Sequence, residues 1–99
     1  MDIKLRDGST LNTDKLSDIE AEIIEKQTEV GNLCRKYNVP WYSVSFADGE
    51  RKPFISQHFD VDDKAFEERK LKRVGVLFSW LNDFVINASG GKYAITEIK

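Results

Sequence analysis

Apolar and polar positions alternate in three stretches of the chain and recur every three or four residues in two others. Ile3 and Leu5 alternate with Asp2 and Lys4, which predicts a short strand with one apolar face. Asp7-Gly8 suits a two-residue turn, so Ser9 to Leu11 is placed to pair back as a stub of hairpin. Leu16, Ile19, Ile23, Val30, Cys34 and Tyr37 then fall on one narrow helical stripe, with Glu20, Glu22, Glu25 and Glu29 on the other faces. Asn12 or Thr13 is placed to cap this helix, and Asp14 and Asp18 sit favourably near its positive end. Gly31 weakens it by about 1 kcal/mol relative to alanine and reads as a point of close contact. Asn38 and Pro40 end it.

Trp41 to Ala47 is aromatic, β-branched and alternating, as a strand should be. Tyr42, Val44 and Phe46 form one face; Trp41, Ser43, Ser45 and Ala47 form the other. Asp48-Gly49 is the strongest hairpin signal, and the return strand is expected over Lys52 to Phe59. Pro53 cannot donate to a ladder and belongs at an edge or at the strand's start. Asp60 or Asp62 is placed to cap a second helix running to about Asn87. Its apolar positions Leu71, Val74, Leu77, Phe78, Leu81, Phe84 and Val85 cover about half the circumference. Val76, Trp80 and Ile86 fall outside that arc. Ser89-Gly90-Gly91 stops the helix, and Tyr93 to Ile98 alternates as a last strand.

The order β-α-β-β-α-β resembles the ferredoxin-like arrangement, an antiparallel four-stranded sheet with two helices on one face. The resemblance covers the whole chain as topology and implies no function, because many functions share that fold. Helices of roughly 24 residues are about 36 Å long, whereas six-residue strands span about 20 Å. The helix ends are therefore expected to overhang the sheet, with the second helix as the spine of the core and the first at the periphery.

Ninety-nine residues, 40% apolar and 32% charged, make one α+β domain of ordinary soluble composition. The formal charge of −2 is too small for a general nucleic-acid coat or for an acidic DNA mimic. One cysteine cannot form an internal disulfide. With no apolar run of roughly 20 residues and no basic, apolar leader at Met1, a cytoplasmic protein away from the membrane is expected.

Chemistry in the sequence is thin. Lys64, Arg69, Lys70, Lys72 and Arg73 form a basic run that suits phosphate contacts, or a match for the acidic first helix. Lys52 to Phe59 resembles the signature strand of the RNA-recognition motif at Lys52, Phe54 and Phe59. Pro53, Ile55 and Ser56 depart from it, and Met1 to Leu5 lacks the partner aromatic. His58 with Asp60, Asp62 and Asp63 has ligand chemistry, but the spacing fits helix capping better than a metal site. Ser89-Gly90-Gly91-Lys92 follows a helix and opens a strand, the reverse of a phosphate loop. Cys34 lies on an apolar stripe, as a core thiol does. No cofactor, metal or catalytic residue is expected.

The surplus apolar residues Val76, Trp80 and Ile86, with Trp41, point to an interface. The expectation is a small non-catalytic protein that binds a macromolecular partner, as a homodimer. Its size and charge suit an accessory or inhibitor protein of bacterial or bacteriophage origin. A second reading is a nucleic-acid-binding module using Lys70, Lys72 and Arg73 with Phe54 or Trp41 as a stacking surface. A third is a nucleotide or metabolite pocket lined by Trp41, Tyr42, His58 and Tyr93.

Overall fold

The computed structural model describes residues 1–46, 53–59, 64, 68–69, 73–90 and 95–96. Asp7-Gly8 closes a true hairpin. Strand β1 (Asp2–Lys4) pairs antiparallel with β2 (Thr10–Asn12), Ile3 opposite Leu11. The Leu5 N–H donates to the Ser9 carbonyl at 2.9 Å, and the Gly8 N–H to the Leu5 carbonyl at 3.1 Å. Gly8 turns the chain at φ +90°, a conformation open to glycine and strained for other residues. The Asp7 carboxylate accepts from both the hydroxyl and the N–H of Ser9, and these bonds, the hydroxyl first, hold its pKa below the ordinary value.

Asn12 caps a 3-10 turn (Thr13–Lys15) by accepting from the Asp14 N–H at 2.8 Å. The helix proper, α1 (Asp18–Tyr37), starts later than the sequence suggests, with Ser17 as its N-cap; the Ser17 hydroxyl accepts from the Glu20 N–H. It ends where expected. Asn38 is left-handed at φ 50°, its N–H reaches the Arg35 carbonyl, and the Val39 N–H reaches the Cys34 carbonyl at 2.8 Å. That pair of bonds is a Schellman stop.

Strand β3 (Trp41–Ser45) pairs antiparallel with β4 (Phe54–His58), Ser43 opposite Ser56. Pro53 directly precedes β4, where its missing N–H leaves the ladder intact. The Asp48-Gly49 turn signal lies outside the described residues. Helix α2 (Val74–Ala88) follows, and β5 (Ile95–Thr96) returns parallel to β4, Phe54 opposite Ile95. Lys64 and Glu68 are helical while Arg69 and Arg73 lie in turns, so the long helix expected from about residue 60 is interrupted before Val74.

The chain is α+β, but the four-stranded antiparallel sheet is not formed among the described residues. They make a two-stranded sheet, β1-β2, and a three-stranded sheet, β3-β4-β5, with a parallel edge. Across the Asp7-Gly8 turn β1 is paired to its own return strand, and among the described residues not to the β3-β4 ladder. The helices also occupy opposite faces of the β3-β4 ladder. Gln27 of α1 bonds Ser43 and Ser45, whereas Phe78 of α2 packs on the rings of Tyr42 and Phe59. Odd and even positions of β3 point to opposite sides.

The core sits between the hairpin, α1 and β4, where Ile3, Leu5, Ile24 and Phe54 pack with Leu11 and Leu16. Each such buried side chain contributes about 1.5–3 kcal/mol of burial free energy. α1 is therefore the helix that builds the core. Among the described residues of α2 only Gly75 is fully buried, so α2 is the peripheral helix, not the spine.

Candidate functional site

An aromatic cluster ties helix α2 to the sheet. Phe78 lies 5.9 Å from Tyr42 and 5.3 Å from Phe59 between ring centroids, and the Tyr42 hydroxyl donates to Asn82. Burial raises the Tyr42 pKa. The opposite side of the helix carries Arg73, Leu77, Trp80 and Phe84 at spacings of four, three and four, with Val76 alongside. Val76, Leu77, Trp80 and Phe84 are 49–61% exposed. Trp80 and Phe84 stack on each other, ring centroids 5.7 Å apart and planes 25° apart. The result is a continuous apolar ridge, with a shallow hollow between Arg73, Val76, Leu77 and Trp80.

A second apolar face lies on α1. Ile19, Ile23, Val30, Leu33 and Tyr37 are 39–73% exposed and fall within an arc of about 80° at 3.6 residues per turn. All but Leu33 belong to the stripe picked out by sequence spacing, whose other two members, Leu16 and Cys34, are covered. The helix instead buries Ile24, Thr28, Gly31 and Cys34, about a third of a turn away. Small residues let α1 approach the sheet closely, and the Thr28 hydroxyl is satisfied by the Ile24 carbonyl at 2.9 Å. Between the exposed stripe and β3 runs a groove of about 460 Å³, lined by Ile23, Val30 and Trp41 with Glu22, Lys26 and Gln27.

The floor beside that groove is polar and closed. The Trp41 Nε1–H donates to the Ser56 hydroxyl at 3.1 Å, and Ser56 in turn donates to the Gln27 carbonyl. The Gln27 amide donates to the Ser43 hydroxyl at 3.1 Å and accepts from Ser45. Buried polar groups are tolerated when bonded in this way.

Several sequence-derived candidates change standing here. Phe54 is 1% exposed within the core, so it offers no stacking surface. Trp41 and Tyr42 point to opposite faces of β3, so the pocket expected to join them with His58 is divided; Tyr93 lies outside the described residues. His58 shares the face of Trp41, and its Nε2 lies 2.9 Å from the Asn38 amide oxygen. Cys34 is buried, and desolvation raises its pKa against the opposing pull of Arg35. Ile86 is half-buried, whereas Val76 and Trp80 are exposed. Arg73 is exposed at the start of α2; Lys70 and Lys72, and the Asp60, Asp62 and Asp63 cluster, lie outside the described residues. Ser89 and Gly90, at φ +74°, end α2. Among the described residues no group of acids, histidine and cysteine is placed to hold a metal, and no helix is long and apolar enough to cross a membrane.

Leu77, Phe84 and the α1 stripe are the surface residues that sequence spacing misses. Their periodicity is the same whether a helix turns that face inward or outward. Comparison with protein-family profiles, curated proteins and solved structures gave no match.

Proposed function

We propose that this chain is a small non-catalytic binding protein that recognises a macromolecular partner, and associates with itself, through the ridge on α2. The stacked, exposed Trp80–Phe84 pair carries the reading. Aromatic residues dominate binding hot spots because they bring large rigid area at low entropy cost. Here two of them are prealigned, with Leu77 and Val76 continuing the patch. A contiguous apolar ridge of this kind marks an interaction site more often than isolated surface residues do. An accessory or inhibitory role suits a chain whose exposed chemistry is a contact face.

Sedimentation of the native chain and of Trp80→Asp across a dilution series tests the reading. The native mass should fall on dilution, and the variant should be a folded monomer by circular dichroism. A monomeric native chain together with an unfolded variant would make Trp80 a core residue and end the proposal.

One observation favours a second reading. Arg73 borders the same hollow as Trp80, and a cation beside stacked aromatics is how single-stranded nucleic acid is held. Binding of a labelled oligonucleotide that weakens steeply with salt would support it; salt-independent or absent binding would remove it.

A further inference from the structure

We propose that the open edge of β3 is a site of transient self-pairing, separate from the α2 ridge. There β3 of one copy lies antiparallel to β3 of a second copy, about a two-fold axis through Ser43.

The edge is bare. β4 lies between β3 and β5, and among the described residues no strand flanks the outer side of β3. Every residue of β3 is half-buried, whereas Phe54 to Gln57 of the central strand are buried. The helices lie on the two faces of the ladder, α1 over Ser43 and α2 over Tyr42. Besides water, what satisfies the outward N–H and C=O groups of such an edge is another extended strand. Edges that must stay single are guarded by charge, by proline or by a bulge. Trp41 to Ser45 contains no charged residue and no proline, and its register with β4 runs without a break. The uncharged run extends from Asn38 to Ala47 in a chain that is 32% charged, so no like charges hold two copies of the strand apart.

The order of side chains makes the strand complementary to itself. Ser43 is its middle residue, so an axis there pairs every residue of β3 with a residue of the other β3. Tyr42 then faces Val44 of the second copy, Trp41 faces Ser45, and Phe46 faces Pro40. Phe46 is 60% exposed just past the strand, and alternation puts it on the face of Tyr42 and Val44. Along that face each aromatic ring gains a valine or a proline, and aromatic with β-branched is a favoured cross-strand match. On the other face the bulky Trp41 meets the small Ser45, and Ser43 meets itself. Five residues from each copy make a contact well below the size of a stable dimer interface, so copies exchange rapidly. In dilute solution the edge does not hold two chains together, and sedimentation there reports on the ridge alone.

A transient contact is best trapped. In a Cys34→Ala chain an introduced cysteine is the only thiol. Directly opposed residues have Cα atoms about 4.5–5.5 Å apart, within disulfide reach. Oxidation of Ser43→Cys should therefore give a covalent dimer. Ser45→Cys shares the same face but stands four residues out of step with its own copy, about 14 Å away, and should give none. The Ser43→Cys dimer should form equally when Trp80→Asp is added, which separates the edge from the ridge. No dimer from a folded Ser43→Cys chain, equal dimer from both cysteines, or a dimer lost with Trp80→Asp overturns the inference, and the first two leave the ridge reading untouched. If Ser43→Cys fails to fold by circular dichroism, the native chain decides. Its Tyr42 to Ser45 amide resonances should shift as concentration rises, in Trp80→Asp as well. Resonances that stay fixed with concentration overturn the inference; if they move only when a Thr-Val repeat peptide is added, the edge belongs to a foreign strand instead.

Discussion

The indole N–H of Trp41 donates to the hydroxyl of Ser56 at 3.1 Å, and Ser56 is completely buried between β4 and α1. Ser56→Ala deletes that acceptor and the donor to the Gln27 carbonyl, leaving polar groups at the helix–sheet contact without these partners. A loss of about 1–3 kcal/mol is expected. Urea unfolding followed by tryptophan fluorescence will measure it, and a variant as stable as the native chain would mean that water replaces the hydroxyl.

The two faces of α1 should respond very differently to truncation. Ile24 is in the core and Ile19 is 73% exposed. Ile24→Ala should cost about 2–5 kcal/mol, and Ile19→Ala should stay within about 0.5 kcal/mol. Chemical denaturation of the pair decides between the two faces. A larger cost at Ile19 than at Ile24 would mean that the stripe predicted by spacing is the buried one.

Backbone conformation gives a third prediction. Gly8 sits at φ +90° with no neighbour within 4 Å of where a Cβ would lie. Gly8→Ala meets no clash and should still lose about 1–2 kcal/mol from the left-handed backbone alone. Asn38, left-handed at φ 50°, should tolerate glycine with little change and resist valine. Thermal melts of the three variants test the order.

Alkaline pH should weaken the fold. Cys34 and Tyr42 are neutral when protonated, and burial raises both pKa values. The unfolded chain therefore releases these protons at lower pH than the folded chain does. Stability is intact below the ordinary thiol value, about 8.5, and falls as pH rises beyond it, with tyrosine adding above about 10. Asp7 acts in the other direction: its lowered pKa favours folding above the ordinary carboxyl value and is lost in acid. Denaturation midpoints between pH 7 and pH 11 should fall less steeply for Cys34→Ala than for the native chain.

Much of the fold is legible in the sequence because local chemistry decides it. Asp7-Gly8 needs no partner to turn, Asn38 stops α1 by its own conformation, and the alternation from Trp41 to Ser45 sets which residues share a face. Orientation is not legible in the same way. Ile19, Ile23 and Val30 are more apolar than Thr28 and Gly31, so spacing centres the stripe about a third of a turn from the buried face of α1, and of its members only Leu16 and Cys34 are covered. The sheet prefers the small and hydrogen-bonding residues because they permit close approach. The candidate site divides likewise. Val76 and Trp80 stand out as surplus in any wheel of α2, but Leu77 and Phe84 belong to an arc that looks buried until Phe78 is seen to make the contact with the sheet.

Covering β3 on both sides has a further consequence for how the chain finds its alignment. When one face of a strand meets water, a slip of one residue exposes its apolar set and is rejected on that ground. Here every residue from Trp41 to Ser45 is partly covered, so hydrophobicity alone discriminates weakly between alignments. Gln27 supplies the missing discrimination. A one-residue slip would present Tyr42 and Val44 to its amide in place of Ser43 and Ser45, and the bonds it makes with both serines would be broken. The glutamine thus works as a proofreading device for strand pairing: a misaligned hairpin forfeits both of its bonds to the helix.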